Sequence, residues 1–293
     1  MLVPVFVLLG GMAFWPLFRT FDMSLHADAL TGSSYVGDFL GFQNYVNLIT
    51  GELSVWLIRP FFSLDSLFQS AIPVTFIFTV GVVLTETVLG LAMALLLNRN
   101  FKFRGWFRMV FILPWAVPLA IQGLIFYLMF ASGVGFATPI LQDLGVFSNT
   151  PLASSREALM VVMISDIWKQ TPFMALLILA GLQSIDRSLY SVAKISGASV
   201  WERFKTITLP LVLPSLLVAM LFRTIGALKI FGPILVISNC STVPSLSCLV
   251  VSAFNSRLYG TSSTLAFVMA LIVGMFLLVY LVLYRRYNIG GIS

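Results

Sequence analysis

Apolar positions in this chain come in long unbroken runs, not in the alternation of a half-buried strand or the single stripe of a surface helix. Six runs come close to or exceed the roughly 20 residues that a helix needs to cross about 30 Å of hydrocarbon. They extend from Leu2 to Phe18, Ile72 to Leu97, Phe107 to Phe130, Ala158 to Gln183, Leu209 to Ile237 and Thr264 to Tyr284. The first begins without a basic leader and is bracketed by Pro4 and Pro16, with no clear small-residue cleavage site, so it reads as a retained helix. The pattern predicts an all-α polytopic membrane protein with six transmembrane helices.

Composition agrees with a lipid solvent: 59% of the residues are hydrophobic, only 10% are charged and the mean hydropathy is +1.01. One soluble core cannot hide that much Leu, Val, Ile and Phe. The net charge of +6 is a matter of topology. Ten cations fall between spans two and three (Arg99, Lys102, Arg104, Arg108), between spans four and five (Arg187, Lys194, Arg203, Lys205) and after span six (Arg285, Arg286). The opposite connections hold four, Arg19, Arg59, Arg156 and Arg257, together with most of the acids. The positive-inside rule then puts the ten in the cytoplasm and both termini with them, in a multi-pass protein of the cell membrane. No basic run has the length or aromatic interleaving to follow a nucleic acid.

The outer segment from Thr20 to Ser70 carries Gly32, Ser33, Ser34, Gly37 and Gly41 among Phe42, Tyr45 and Trp56, and reads as a small packed cap. Residues 1–65 thus form a first helix with its cap, and 66–290 a five-helix transmembrane domain. Cys240 and Cys248 fall in the outer connection between spans five and six, where an oxidising compartment permits a disulfide and the spacing equally permits free thiols. With one histidine, His26, stranded in the cap, no metal or catalytic cluster is evident, and no phosphate-binding glycine loop is present.

The stretch from Asp186 to Pro214, DRSLYSVAKISGASVWERFKTITLPLVLP, is too amphipathic for an ordinary loop. Leu189, Val192, Ala193, Ser196, Val200 and Phe204 recur at about helical spacing, while Lys194, Glu202, Arg203 and Lys205 supply a wet side. Gly197 and Ala198 interrupt with small side chains that permit a close approach or a turn between two short helices. Pro210 and Pro214 mark the return to the membrane.

This segment resembles the EAA motif of ABC importer permeases, matching it at Ala193, Gly197, Ala198, Trp201, Phe204, Leu209 and Pro210, with Ser191 and Ser196 in place of the usual Glu and Asp. GFQNYVNLI before span two, FRGWFRMVFILPWAVP at span three and IWKQTPFMALLILAGLQSI in span four are also similar to elements of the sugar-type, MalF/UgpA-like branch, a MetI-like transmembrane domain. The resemblance covers the chain from about Phe42 onward. It implies a coupling helix at about 186–208 that sits in a cleft of an ATPase subunit. It implies as partners a second permease subunit in a heterodimer, two ATPase subunits that bind the ATP and Mg, and an extracytoplasmic sugar-binding protein. The chain itself would then hold no cofactor and catalyse nothing.

Charges at bilayer depth cost about 2.5–3.5 kcal/mol on insertion scales and so face a partner or a water-filled path. Glu86, Asp166, Lys169, Arg223 and Lys229 are such charges. Asp166 and Lys169 are spaced to pair on one helix face, and Arg223 to neutralise Glu86 or Asp166. The other reading is a substrate path: Asp166, Gln170 and Phe173 form one stripe, and Arg223, Ala227 and Ile230 another. In sugar permeases that resemble this chain such stripes line the sugar site, which implies that role for Asp166, Gln170, Phe173, Arg223, Gly226, Ala227 and Ile230. Two rival classes remain, a self-sufficient carrier and an intramembrane enzyme, but neither an internal repeat nor a catalytic cluster is visible.

Overall fold

Backbone amides in hydrocarbon have no water to bond, so apolar runs fold as helices that satisfy their own hydrogen bonds. The computed structural model describes residue 8 and residues 10–29, 35–55 and 57–289, and they are mostly helical. Long helices cover α3 (Ala71–Asn98), α7 (Ser155–Gln183), α9 (Val200–Leu228) and α12 (Tyr259–Ile289). Among the described residues these four are long and apolar enough to span a membrane, and α4 (Arg104–Ala116) with α5 (Leu119–Phe130) makes a fifth if a pair bent by 90° is one span. The first expected span, Leu2 to Phe18, begins outside the described residues; its described part is a wide turn, Gly10–Phe14, running into α1 (Trp15–Ser24).

Two spans differ from the expectation, each for a backbone reason. Span three is broken because Pro118 lacks an N–H and pushes Val117 out of helical geometry, to ψ 128°. Span five starts earlier and ends sooner than Leu209 to Ile237. Its helix already begins at Val200, passes through a wide turn at Phe204–Thr208, and stops at Leu228; after a break, Gly232 and Pro233 start a separate short helix, α10 (Gly232–Ile237).

Helices α3, α7 and α9 pack together as the centre of the bundle, with a cluster around Phe78, Val82, Val162 and Ile234 towards one end and another around Leu97, Ile178, Leu182 and Val212 towards the other. Small residues let them approach: a Cβ at Gly90 would stand 2.8 Å from the Met174 Cγ across the α3–α7 contact. Helix α12 is different, for only 6% of its apolar window is buried within the chain.

The segment before α3 is a packed cap, as its composition implies. It contains a two-stranded antiparallel pairing, β1 (His26–Asp28) with β2 (Val36–Phe39), and the helix α2 (Gln43–Thr50). Gly32, Ser33, Ser34 and Trp56 of that segment lie outside the described residues. The cap closes onto the start of α12: Asp28 accepts from the Thr261 amide at 3.0 Å and its hydroxyl at 2.6 Å, and Thr264 donates to the Ser24 carbonyl. Arg59 donates to the Ser241 carbonyl at 2.7 Å, beside a disulfide that joins Cys240 to Cys248 in α11 (Leu246–Asn255).

Candidate functional site

At the end of the bundle opposite the cap, residues 186–208 fold as two helices joined by a turn. Asp186 caps α8 (Arg187–Ile195) by accepting from the Ser188 amide at 2.9 Å, a bond that holds its carboxyl below the ordinary value. The far end of α8 is a Schellman motif: the Gly197 amide bonds the Lys194 carbonyl at 3.1 Å and the Ala198 amide the Ala193 carbonyl at 2.9 Å. This geometry requires φ of +80° at Gly197, in the left-handed region where a side chain is strained. Ser199 then starts α9 with a reciprocal capping box, its hydroxyl accepting from the Glu202 amide while the Glu202 carboxylate accepts from the Ser199 amide at 2.6 Å. Sequence reading gives Glu202 only a place on the wet side; the Ser-x-x-Glu spacing is the signal that marks it as a cap.

Both helices are therefore capped from within the segment, and Tyr190 ties α8 to α9 through its hydroxyl contact with Thr208 at 3.0 Å. Its apolar side chains are left open. Ile195 is 88% exposed, Trp201 69% and Val192 63%, and Leu189 and Val200 are exposed too. Trp201 stacks on Phe204 with ring centroids 5.5 Å apart, which fixes the indole in place. Ser191, Ser196, Gly197 and Pro210 are exposed, and Ala193, Ala198, Phe204 and Leu209 are half-buried.

In the centre of the bundle the three helices exchange charge. Arg223 of α9 donates from Nη2 to Glu86 Oε1 of α3 at 2.9 Å and to Asp166 Oδ2 of α7 at 2.7 Å, while its Nε donates to Glu86 Oε2. All three side chains are buried. The stripes expected from sequence contain Asp166 and Arg223 but omit Glu86, whose only signal is an acid in the middle of an apolar run. Gly226 lies against this cluster, since a Cβ there would stand 3.2 Å from Arg223 Nη1.

The expected pairing of Lys169 with Asp166 on one face is replaced. Lys169 donates to the Val117 carbonyl, one of the groups that the break between α4 and α5 leaves without a helical partner. Lys229 is not in mid-span either; it is exposed at the C-terminal cap of α9. Of the remaining stripe residues, Ala227 and Ile230 are buried in the apolar cluster. Gln170 and Phe173 are half-buried, the latter stacked on Trp115 with centroids 5.9 Å apart.

These features define a class: a multi-pass helical membrane protein with an internally paired ionic centre and, at one end, a helix-turn-helix whose Val192, Ile195, Val200 and Trp201 are exposed among the described residues. The family described as binding-protein-dependent transport system inner membrane component matches residues 86–288. A trehalose/maltose transport system permease protein, MalF, of Thermococcus litoralis is 37% identical over 96% of this chain and 91% of that protein. The sulfoquinovosyl glycerol transport system permease protein SmoG of Agrobacterium fabrum is 36% identical over 79% of this chain and 70% of that protein. Among solved structures, a bacterial ABC transporter involved in the import of the acidic polysaccharide alginate has the same fold, with a TM-score of 0.78 over 98% of this chain and 94% of that one at 19% identity. This chain belongs to the binding-protein-dependent transport family and is a membrane transport component, not an enzyme.

Proposed function

We propose that the chain is one permease subunit of an ATP-driven importer of a carbohydrate, of the di- or oligosaccharide class that includes trehalose and maltose. The sugar assignment is supported by the substrates for which its relatives are named, above all the trehalose/maltose permease at 37% identity. The coupling role rests on one observation: Leu189, Val192, Ile195, Val200 and Trp201 are exposed on a segment whose helix ends are capped by its own side chains and turn. Burying such a face in a partner's cleft supplies roughly 25 cal/mol per Å² of apolar area. The partner is an ATPase subunit, which also binds the ATP and Mg. A second permease subunit, in a heterodimer, encloses the path, a second ATPase completes the pair, and an extracytoplasmic binding protein delivers the sugar.

In this reading the coupling segment and both termini face the cytoplasm. The disulfide supports that orientation, because such bonds persist in oxidising compartments and this one lies at the cap end. Closure of the ATPases moves the coupling segment as a rigid body, and α9, continuous from Val200 to Leu228, carries that motion to the path. Gln170, Phe173 and Gly226 line the path, with Phe173 offering a ring face to the sugar. Asp166, Arg223, Ala227 and Ile230 stand behind them and hold the wall.

Cysteines placed at Ala198 and Trp201 test the coupling role by cross-linking in the assembled importer. Capture of the ATPase subunit from both positions is the expected result, and capture from neither would overturn it. Gly197→Asp leaves membrane insertion intact and separates ATP hydrolysis from uptake of radiolabelled trehalose or maltose; normal uptake would count against the assignment.

A further inference from the structure

The basic end of the bundle contains a cavity of about 880 Å³ between the last turns of α3 and α7 and the segment formed by α8 and the start of α9. Its lining is apolar at Leu95, Leu182, Val200 and Phe204 and basic at Arg99, Arg187 and Arg203. A smaller hollow of about 280 Å³ shares Arg187 and Tyr190 with it and adds Arg104. No Asp or Glu lines either space. The two acids of the neighbouring segment are engaged elsewhere, Asp186 on the Ser188 amide and Glu202 on the Ser199 amide. Among the described residues none of these four arginines has a carboxylate within ion-pair distance. Arg108, one turn along α4 from Arg104, has Nε and Nη2 buried without a hydrogen-bond partner.

We infer that this cavity seats an anionic phospholipid, its phosphate among Arg99, Arg187 and Arg203 and the first methylenes of an acyl chain against Leu95 and Leu182. Charge complementarity favours an anion, since Arg99, Arg187 and Arg203 share one lining with no carboxylate among them. The apolar part of the lining favours an apolar body on the same molecule, which a free phosphate lacks. Helices α3 and α7 end at Asn98 and Gln183, and that level is where the hydrocarbon gives way to headgroups. Basic pockets between transmembrane helices at this level suit anionic headgroups. A lipid held there joins the ends of two spans to the turn at Gly197, so membrane composition acts directly on the segment that meets the ATPase. The inference is independent of which solute is carried.

The test uses the purified full chain in detergent, titrated with phosphatidylglycerol, phosphatidylcholine, glycerol phosphate and inorganic phosphate, and read by native mass spectrometry and thermal unfolding. Phosphatidylglycerol is retained one per chain at least tenfold more tightly than phosphatidylcholine, and the preference falls with salt. Arg99→Gln with Arg187→Gln reduces that preference by roughly 25-fold or to nothing, about fivefold per arginine. Arg285→Gln, at a cation that does not line the cavity, leaves it unchanged. Equal retention of the two lipids by the unaltered chain would overturn the inference, and that comparison needs no variant to fold. So would a double variant with the original preference. An unfolding shift from inorganic phosphate that phosphatidylglycerol does not exceed would replace the lipid with a soluble anion.

Discussion

The two ends of this bundle are finished in different ways. At the cap end, contacts distant in sequence close the structure: Asp28 on Thr261, Arg59 on Ser241, and Cys240 on Cys248. The centre is closed in the same manner, with Arg223 serving carboxylates from two other helices. At the basic end the ties within residues 186–203 are local, made by caps and a Schellman turn, with Tyr190 on Thr208 as the longer one, and Val192, Ile195 and Trp201 remain open. A region stabilised by remote contacts resists change as a unit, whereas one stabilised locally keeps its shape while it moves. The second property is what a segment needs if it is to transmit a push from a partner without unravelling.

Substitutions test that contrast by separating stability from transport. Arg223→Ala should have the largest effect, about 3–5 kcal/mol, because it strands the Glu86 and Asp166 carboxylates in the interior. Loss of folded chain on detergent extraction checks it, and a stable but inactive protein would move Arg223 from the wall to the path. Replacing Cys240 and Cys248 by Ser should cost about 2–4 kcal/mol of unfolding free energy. A reductant should lower the unfolding temperature of the unaltered chain and not of that variant. Gly197→Val should cost about 1–2 kcal/mol through strain at positive φ, while Gly197→Asn, which tolerates that conformation, restores most of it. Trp201→Ala should change stability by less than about 0.5 kcal/mol, as exposed positions do, yet reduce ATP-driven uptake several-fold. If Trp201→Ala instead unfolded the chain, the difference between the two ends would disappear.

How much was legible in the sequence followed the range of the interaction. Residues 186–208 could be read as two short helices with a small-residue turn, because turns depend on side chains within a few positions of one another. Glu202 was missed as a cap only because its charge drew attention to the wet face. The disulfide was open, since a spacing of eight residues permits both states and only the fold brings the Cα atoms to 5.5 Å. Span three looked continuous because the pattern of Phe107 to Phe130 is apolar on both sides of Pro118, and a proline in a membrane helix signals a kink without giving its angle. The in-span charges were visible one by one, and Arg223 could be matched with Glu86 or Asp166, but that it holds both at once, and that Lys169 serves a carbonyl, was not legible.

By itself the sequence determined the solvent, since runs of that length and hydropathy have no other place than a bilayer, and it determined the local shape of the inner segment, since hydrogen bonds between near neighbours need no other part of the chain. Only the tertiary structure decided that Glu86 joins Asp166 on Arg223, that Lys169 serves the Val117 carbonyl, and that three arginines, Arg99, Arg187 and Arg203, border one cavity. The physical reason is that helix packing rotates each span about its own axis, and the angle chosen, which no single span encodes, selects which buried charges meet.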